Sequence, residues 1–187
     1  MLDTSVSRHQ NKTHELVFMA FFTALIAIGA FIKVPVPVLP FTLQLLFTTM
    51  AGLLLGPKLG SAAVWTYIGL GLIGLPVFTM GGGPGYIFQP TFGYLIGFAL
   101  GARVTGMLST GAPTMKKLLT ANFAGLFVVY LCGMVYYYII GNYVINQPIA
   151  LWPLFLYCFI LAVPGDIFLC ICAALMGKKL IPLLRKQ

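Results

Sequence analysis

Residues 149–184 read IALWPLFLYCFILAVPGDIFLCICAALMGKKLIPLL, one apolar stretch interrupted at Pro164-Gly165-Asp166. A membrane span needs about 20 apolar residues, so this stretch is too long for a single span. Proline and glycine interrupt regular helix. The stretch therefore divides into a short helix at the outer interface, Ile149 to Val163 with Trp152 as its anchor, and a final span from near Asp166 to about Leu184. Upstream lie five more apolar runs: Leu16 to Ile32, Phe41 to Leu55, Leu59 to about Leu75, Thr91 to about Val104, and about Leu118 to Ile140. Their separators are proline-punctuated, glycine-rich or polar. The expected fold is an all-α integral membrane protein of six transmembrane helices, with a short interfacial helix before the sixth. Residues 16–184 form the bundle, 1–15 an N-terminal tail and 185–187 a C-terminal tail.

Composition agrees and removes other classes. The chain of 187 residues is 60% hydrophobic and 7% charged, with mean hydropathy +0.99, a balance that requires lipid around most of the surface. Six spans leave no length for a soluble domain. The net charge of +8 does not indicate nucleic acid, because the basic residues sit at the ends of apolar runs rather than in a patch with exposed aromatics. Of the 11 Lys and Arg residues, only Lys33 falls opposite the N-terminal side. The excess of positive charge marks that side as cytoplasmic, so the reading is a multi-pass plasma-membrane protein with both termini inside.

Cys132, Cys158, Cys170 and Cys172 show no C-x-x-C spacing, and His9 and His14 lie in the tail without a third partner. No zinc site, disulfide framework or cofactor is indicated. A phosphate-binding G-x-x-x-x-G-K-[ST] loop does not occur, so the chain cannot drive ATP-powered transport alone. Both histidines and all but one acid lie in the N-terminal tail, which leaves no nucleophile, base and acid set within the membrane. The chain is not read as an enzyme.

The two sides differ in kind. Outer connections Lys33 to Pro40, Pro76 to Pro90 (with Gly81-Gly82-Gly83-Pro84-Gly85) and Gly141 to Pro148 have irregular backbone, tolerated at membrane depth where it is buried or lines a cavity. They are expected to cover a pocket open to the outside. Asp166 is the only acid beyond the tail, and a carboxylate within a span costs roughly 2.5–3.5 kcal/mol on insertion scales. It either caps the last helix or turns toward the pocket as an acceptor for ligand N–H groups. Gln44, Gln89 and Asn122 need partners if buried, and each can tie helices or touch ligand. Tyr86, Phe88, Phe92 and Tyr94 can wall a flat ligand or belong to an interfacial belt. Ala20 and Ala24 share a helix face that another helix can approach closely, within the chain or in a partner.

Pro40-Phe41-Thr42-Leu43-Gln44, Ala51 to Gly56, Gly74-Leu75-Pro76-Val77-Phe78, Pro90-Thr91 with Gly93 to Phe98, and Pro164-Gly165-Asp166 together resemble the BioY family of biotin transporters. The resemblance covers about Ala20 to Lys179, with motifs in family order. It implies an S-component-like bundle that binds biotin with high affinity beneath its outer loops. The implied partners are a transmembrane T component and two ATPase subunits of an energy-coupling factor transporter. It also implies that Ala20 and Ala24 dock on the T component and that Asp166 receives the ureido ring. The family motif continues Pro-Gly-Asp-x-x-Lys, and here the lysine position is Leu169. The ligand carboxylate then falls to Lys33 or to backbone N–H groups of Gly81 to Gly85. The competing reading is a standalone facilitator or proton-coupled carrier using Asp166, which one acid and no evident inverted repeat support poorly.

Overall fold

The computed structural model describes residues 3–34, 41–146 and 149–184. Positions 35–40 of the first outer connection, 147–148 of the third and the 185–187 tail lie outside them. Helix α1 (Asp3–Phe31) starts in the polar N-terminal segment, so the expected tail is helical from Asp3 onward. It stops at strand β1 (Lys33–Val34), which pairs antiparallel with β2 (Phe41–Thr42) and sets Lys33 opposite Thr42. This two-residue ladder brackets the proline run, which cannot continue a helix.

Helix α2 (Gln44–Leu72) is a hairpin rather than a rod. At Gly56 the backbone takes φ 80° and ψ −177°, a conformation that a Cβ disfavours. Pro57 follows as the first residue of the returning arm, where its missing N–H costs nothing. Gln44 Nε2 and Tyr67 Oη are consequently 2.8 Å apart, although a straight helix would separate these residues by about 35 Å. The expected second and third apolar runs are the two arms, 44–55 and 57–72.

Helix α3 (Phe92–Leu108) packs between α2 and α4 (Met115–Tyr143), while α1 covers α2 and α6 (Val163–Leu184) closes against α2 and α4. Lipid gives no hydrophobic drive between helices, so close backbone approach and hydrogen bonds hold them. The α3–α4 seam shows both. A Cβ on Gly101 would lie 2.9 Å from the Gly125 carbonyl oxygen, and Thr105 Oγ1 donates to the Ala121 carbonyl at 3.2 Å. Phe21, Phe127, Leu131 and Phe168 are exposed on the outside, as suits a surface solvated by lipid.

By length and composition, Lys12–Phe31, Gln44–Leu72, Met115–Tyr143 and Leu151–Leu183 can cross a membrane, and Phe92–Leu108 is a shorter apolar helix. The architecture is an all-helical, multi-pass membrane bundle. Its last apolar stretch differs in detail from expectation. The short helix resolves into α5 (Leu151–Phe155) and a π-helical turn, Leu156–Ile160. Helix α6 begins at Val163 rather than near Asp166. Pro164 occupies the first turn, where a missing N–H is harmless, so the Pro-Gly pair starts this helix instead of breaking it. Asp166 lies inside that turn, its own N–H donating to Ala162 at 3.2 Å.

Candidate functional site

The connection from α2 to α3 is a pinned cover. Phe78, 1% exposed, inserts beside Tyr67 and Tyr86 with ring centroids at 5.4 and 4.4 Å. Gly83 N–H donates to the Gly71 carbonyl at 2.7 Å, and Phe78 and Gly81 exchange backbone bonds of 2.9 and 3.2 Å. The 3-10 turn Pro84–Phe88 then carries Tyr86 inward, where it is buried.

Beneath this cover lies a cavity that opens at the end of the bundle, lined by residues of the hairpin, the cover, α2, α3, α4 and α6. It occupies the end of the bundle where the β1–β2 hairpin, the cover and the start of α6 meet. Asp166 contributes the one charged side chain of its wall among the described residues. The Asp166 carboxylate accepts a hydrogen bond from the Tyr130 hydroxyl of α4, and no Lys, Arg or His pairs with it among the described residues. A carboxylate holds about four lone-pair sites, so acceptor capacity remains for a ligand donor. Tyr130 is itself held edge-on by Tyr94 and Phe159, with centroids at 6.2 and 5.1 Å. Tyr94 in turn donates to the Cys158 carbonyl at 3.4 Å.

A second polar group of the wall starts at Gln44. Its Nε2 donates to Tyr67 Oη at 2.8 Å, and the Tyr67 hydroxyl donates to the Val77 carbonyl at 3.0 Å. This chain fixes the amide and ties α2 to the cover. Thr79 Oγ1 and Tyr86 Oη are 3.0 Å apart, and buried Thr91 Oγ1 has no partner among the described residues. An unpaired buried hydroxyl is costly, so Thr91 offers a ready contact for a polar ligand atom. Leu45, Leu95, Phe98 and Val129 complete the wall with carbon.

Among the residues singled out from sequence, Asp166, Gln44, Tyr86 and Tyr94 meet in this cavity. Lys33 is exposed at its margin, donating to the carbonyl of the lining residue Thr79 at 3.1 Å. Gly81, Gly82 and Gly83 shape the cover and are not in the wall. Gln89 is exposed, its N–H closing the 3-10 turn on Tyr86. Asn122 is 1% exposed and joins α4 to α6 through a 2.8 Å bond to the Cys170 carbonyl. Phe92 belongs to the core beside Tyr86 and Tyr136, and Phe88 is exposed. Leu169, 4% exposed, packs in the cluster of Tyr94 and Tyr130. Tyr130, Thr79 and Thr91 were not singled out as site residues. Tyr130 stands in an apolar run, and its only signal is a hydroxyl in α4 needing a partner once buried.

The BioY family pattern matches residues 4–186. A probable biotin transporter BioY of Lysinibacillus sphaericus is 45% identical over 178 residues, covering 94% of this chain and 91% of that one. The biotin transporter BioY of Thermotoga maritima is 43% identical over 64% of this chain and 72% of its own. The crystal structure of an S-component for biotin from an ECF-type ABC transporter superposes with a TM-score of 0.76 at 28% identity, covering 95% of this chain and 94% of the other. The family pattern spans nearly the whole chain, and a relative is 45% identical over 94% of it: the chain belongs to the BioY family.

Proposed function

We propose that this chain is the biotin-capturing S component of an energy-coupling factor transporter, handing its ligand to a T component and two ATPase subunits. The observation that carries the reading is Asp166, an intramembrane carboxylate without a cationic partner among the described residues, held by Tyr130 in the wall of a cavity under the loops. Such a group is tolerated when donors complete it, and the two ureido N–H groups of biotin are donors of the right kind. Gln44 and Thr91 offer polar contacts to the same head group, and Leu95, Phe98 and Val129 enclose the apolar ring and chain.

The topology follows by taking the arms of α2 as separate spans and counting α3, which gives six. Alternation then puts Lys58, Arg103, Lys116, Lys117, Lys178 and Lys179 on one side and Lys33 on the other. The positive-inside rule makes the cavity face outward in the plasma membrane, with both termini cytoplasmic. Ala20 and Ala24 are exposed on α1 and form the docking face for the T component.

Tyr130→Phe removes one hydrogen bond to Asp166 and keeps the ring. Biotin affinity is expected to fall about threefold to tenfold, the scale of one such bond, with the melting temperature held within a few degrees. Calorimetric titration checks it. Unchanged affinity would show that helix α6 alone positions Asp166.

Reconstituted vesicles test the assignment as a subunit. Labelled biotin should accumulate only when the T component and ATPases are present and ATP is supplied. Uptake by the chain alone, driven by an imposed pH gradient, would establish the proton-coupled carrier instead.

A further inference from the structure

The cavity wall contains a carboxylate and no basic side chain among the described residues. A ligand that is itself an anion therefore meets like charge unless a cation stands nearby. Leu169 supplies only carbon, buried among Tyr94, Tyr130 and Leu154. In the glycine segment, Gly81 and Gly83 have committed their N–H groups to Phe78 and Gly71, and none of Gly81, Gly82, Gly83 and Gly85 lines the cavity.

Lys33 is differently placed. Its backbone pairs with Thr42 across the hairpin, and its Nζ reaches the carbonyl of Thr79 at 3.1 Å. Thr42 and Thr79 both line the cavity, so the lysine bridges two segments of its wall. An ammonium has three N–H donors, and Thr79 engages one. Because Lys33 is exposed, its charge is retained in water without the cost of burial, and it can meet a carboxylate that emerges from the mouth.

We infer that Lys33, bridging the Thr42 strand and the Thr79 carbonyl, is the specificity residue for the ligand's carboxylate, making the site select the free acid over its neutral derivatives. This rests on the biotin reading and sharpens it. The head group is held by Asp166 within the wall and the acid tail by Lys33 at the margin, so an acceptor and a cation face a ligand with donors at one end and an anion at the other. Lys33 also latches the cover through Thr79, and the ester, which lacks the charge, isolates the carboxylate contact from that latch.

The test is calorimetric titration of purified wild-type, Lys33→Gln and Lys33→Arg proteins in lipid nanodiscs with biotin and with biotin methyl ester. Wild type should bind the acid about tenfold more tightly than the ester, the scale of a charge-assisted contact. Lys33→Gln should lose that preference by weakening acid binding while ester binding stays within twofold, and Lys33→Arg should keep most of it. An equal loss for both ligands in Lys33→Gln would reduce Lys33 to a latch on the cover and overturn the inference. So would a wild type indifferent to esterification. Failure of the biotin reading is distinct: neither compound would bind the wild-type protein at all.

Discussion

Asp166→Ala is expected to weaken biotin binding by about a hundredfold or more while leaving the protein folded. Hydrogen bonds to a charged acceptor contribute about 1.5–3 kcal/mol each, and every 1.4 kcal/mol is about tenfold in affinity. Loss of one ureido contact at the upper end of that range, together with the Tyr130 hydroxyl left without its acceptor, reaches the stated loss. Stability should move the other way or not at all. Removing the carboxylate abolishes an intramembrane charge that costs roughly 2.5–3.5 kcal/mol on insertion scales, so the melting temperature of the ligand-free variant should equal or exceed that of wild type. Asp166→Asn should fall between the two. Its carbonyl still accepts one N–H, but its amide sets donor against donor and the charge is gone. Calorimetry with parallel thermal melts reads both quantities. A variant that binds normally would remove Asp166 from the site, and one that no longer folds would make it a structural group.

Ala20→Trp combined with Ala24→Trp is expected to cut biotin uptake to below a tenth of wild type while leaving ligand affinity unchanged. The two alanines are exposed on α1, in line with Val17, Ile28 and Phe31, which are also exposed. From Val17 to Phe31 the exposed positions in this line are apolar, so their fit to another helix depends on how closely the backbones approach. Small residues four apart permit that approach, and two indole rings prevent it. The cavity is built by other segments, from the hairpin to the start of α6, which is why binding should survive. Uptake in cells expressing all subunits, with co-purification of the T component, measures the effect. Full uptake by the double variant would free this face from any role in docking.

The scaffold was legible in sequence because lipid imposes a local rule. Backbone groups that face lipid must be satisfied within their own helix, so apolar length and its interruptions announce the spans one at a time. The break between the runs ending at Leu55 and starting at Leu59 is the hairpin of α2, where Gly56 takes the positive φ and Pro57 starts the returning arm. Asp166 stood out because intramembrane charge is rare. The partner of Asp166 was hidden, since Tyr130 lies 36 positions away and resembles any interfacial tyrosine until the helices pack. Phe78 was equally silent. Its insertion beside Tyr67 depends on the room left by Gly71, where a Cβ would sit 2.0 Å from the Phe78 ring. The glycine cluster misled for a related reason: its residues serve the fold of the cover, and the wall is furnished by the threonine and tyrosine on either side. Sequence places a break at Pro164-Gly165 with the last span starting near Asp166, whereas α6 starts at Val163, because a proline has opposite meanings at a helix start and within one and only packing decides which applies.

The central claim is that the cavity beneath the cover captures biotin through Asp166. It is tested most directly by calorimetric titration of the purified chain, without any partner subunit, against biotin and dethiobiotin, beside Asp166→Ala. Saturable one-to-one binding of biotin by wild type and its loss in the variant is the predicted result. Absence of binding of either compound to the wild-type chain in the micromolar range, or equal binding by the variant, would contradict it.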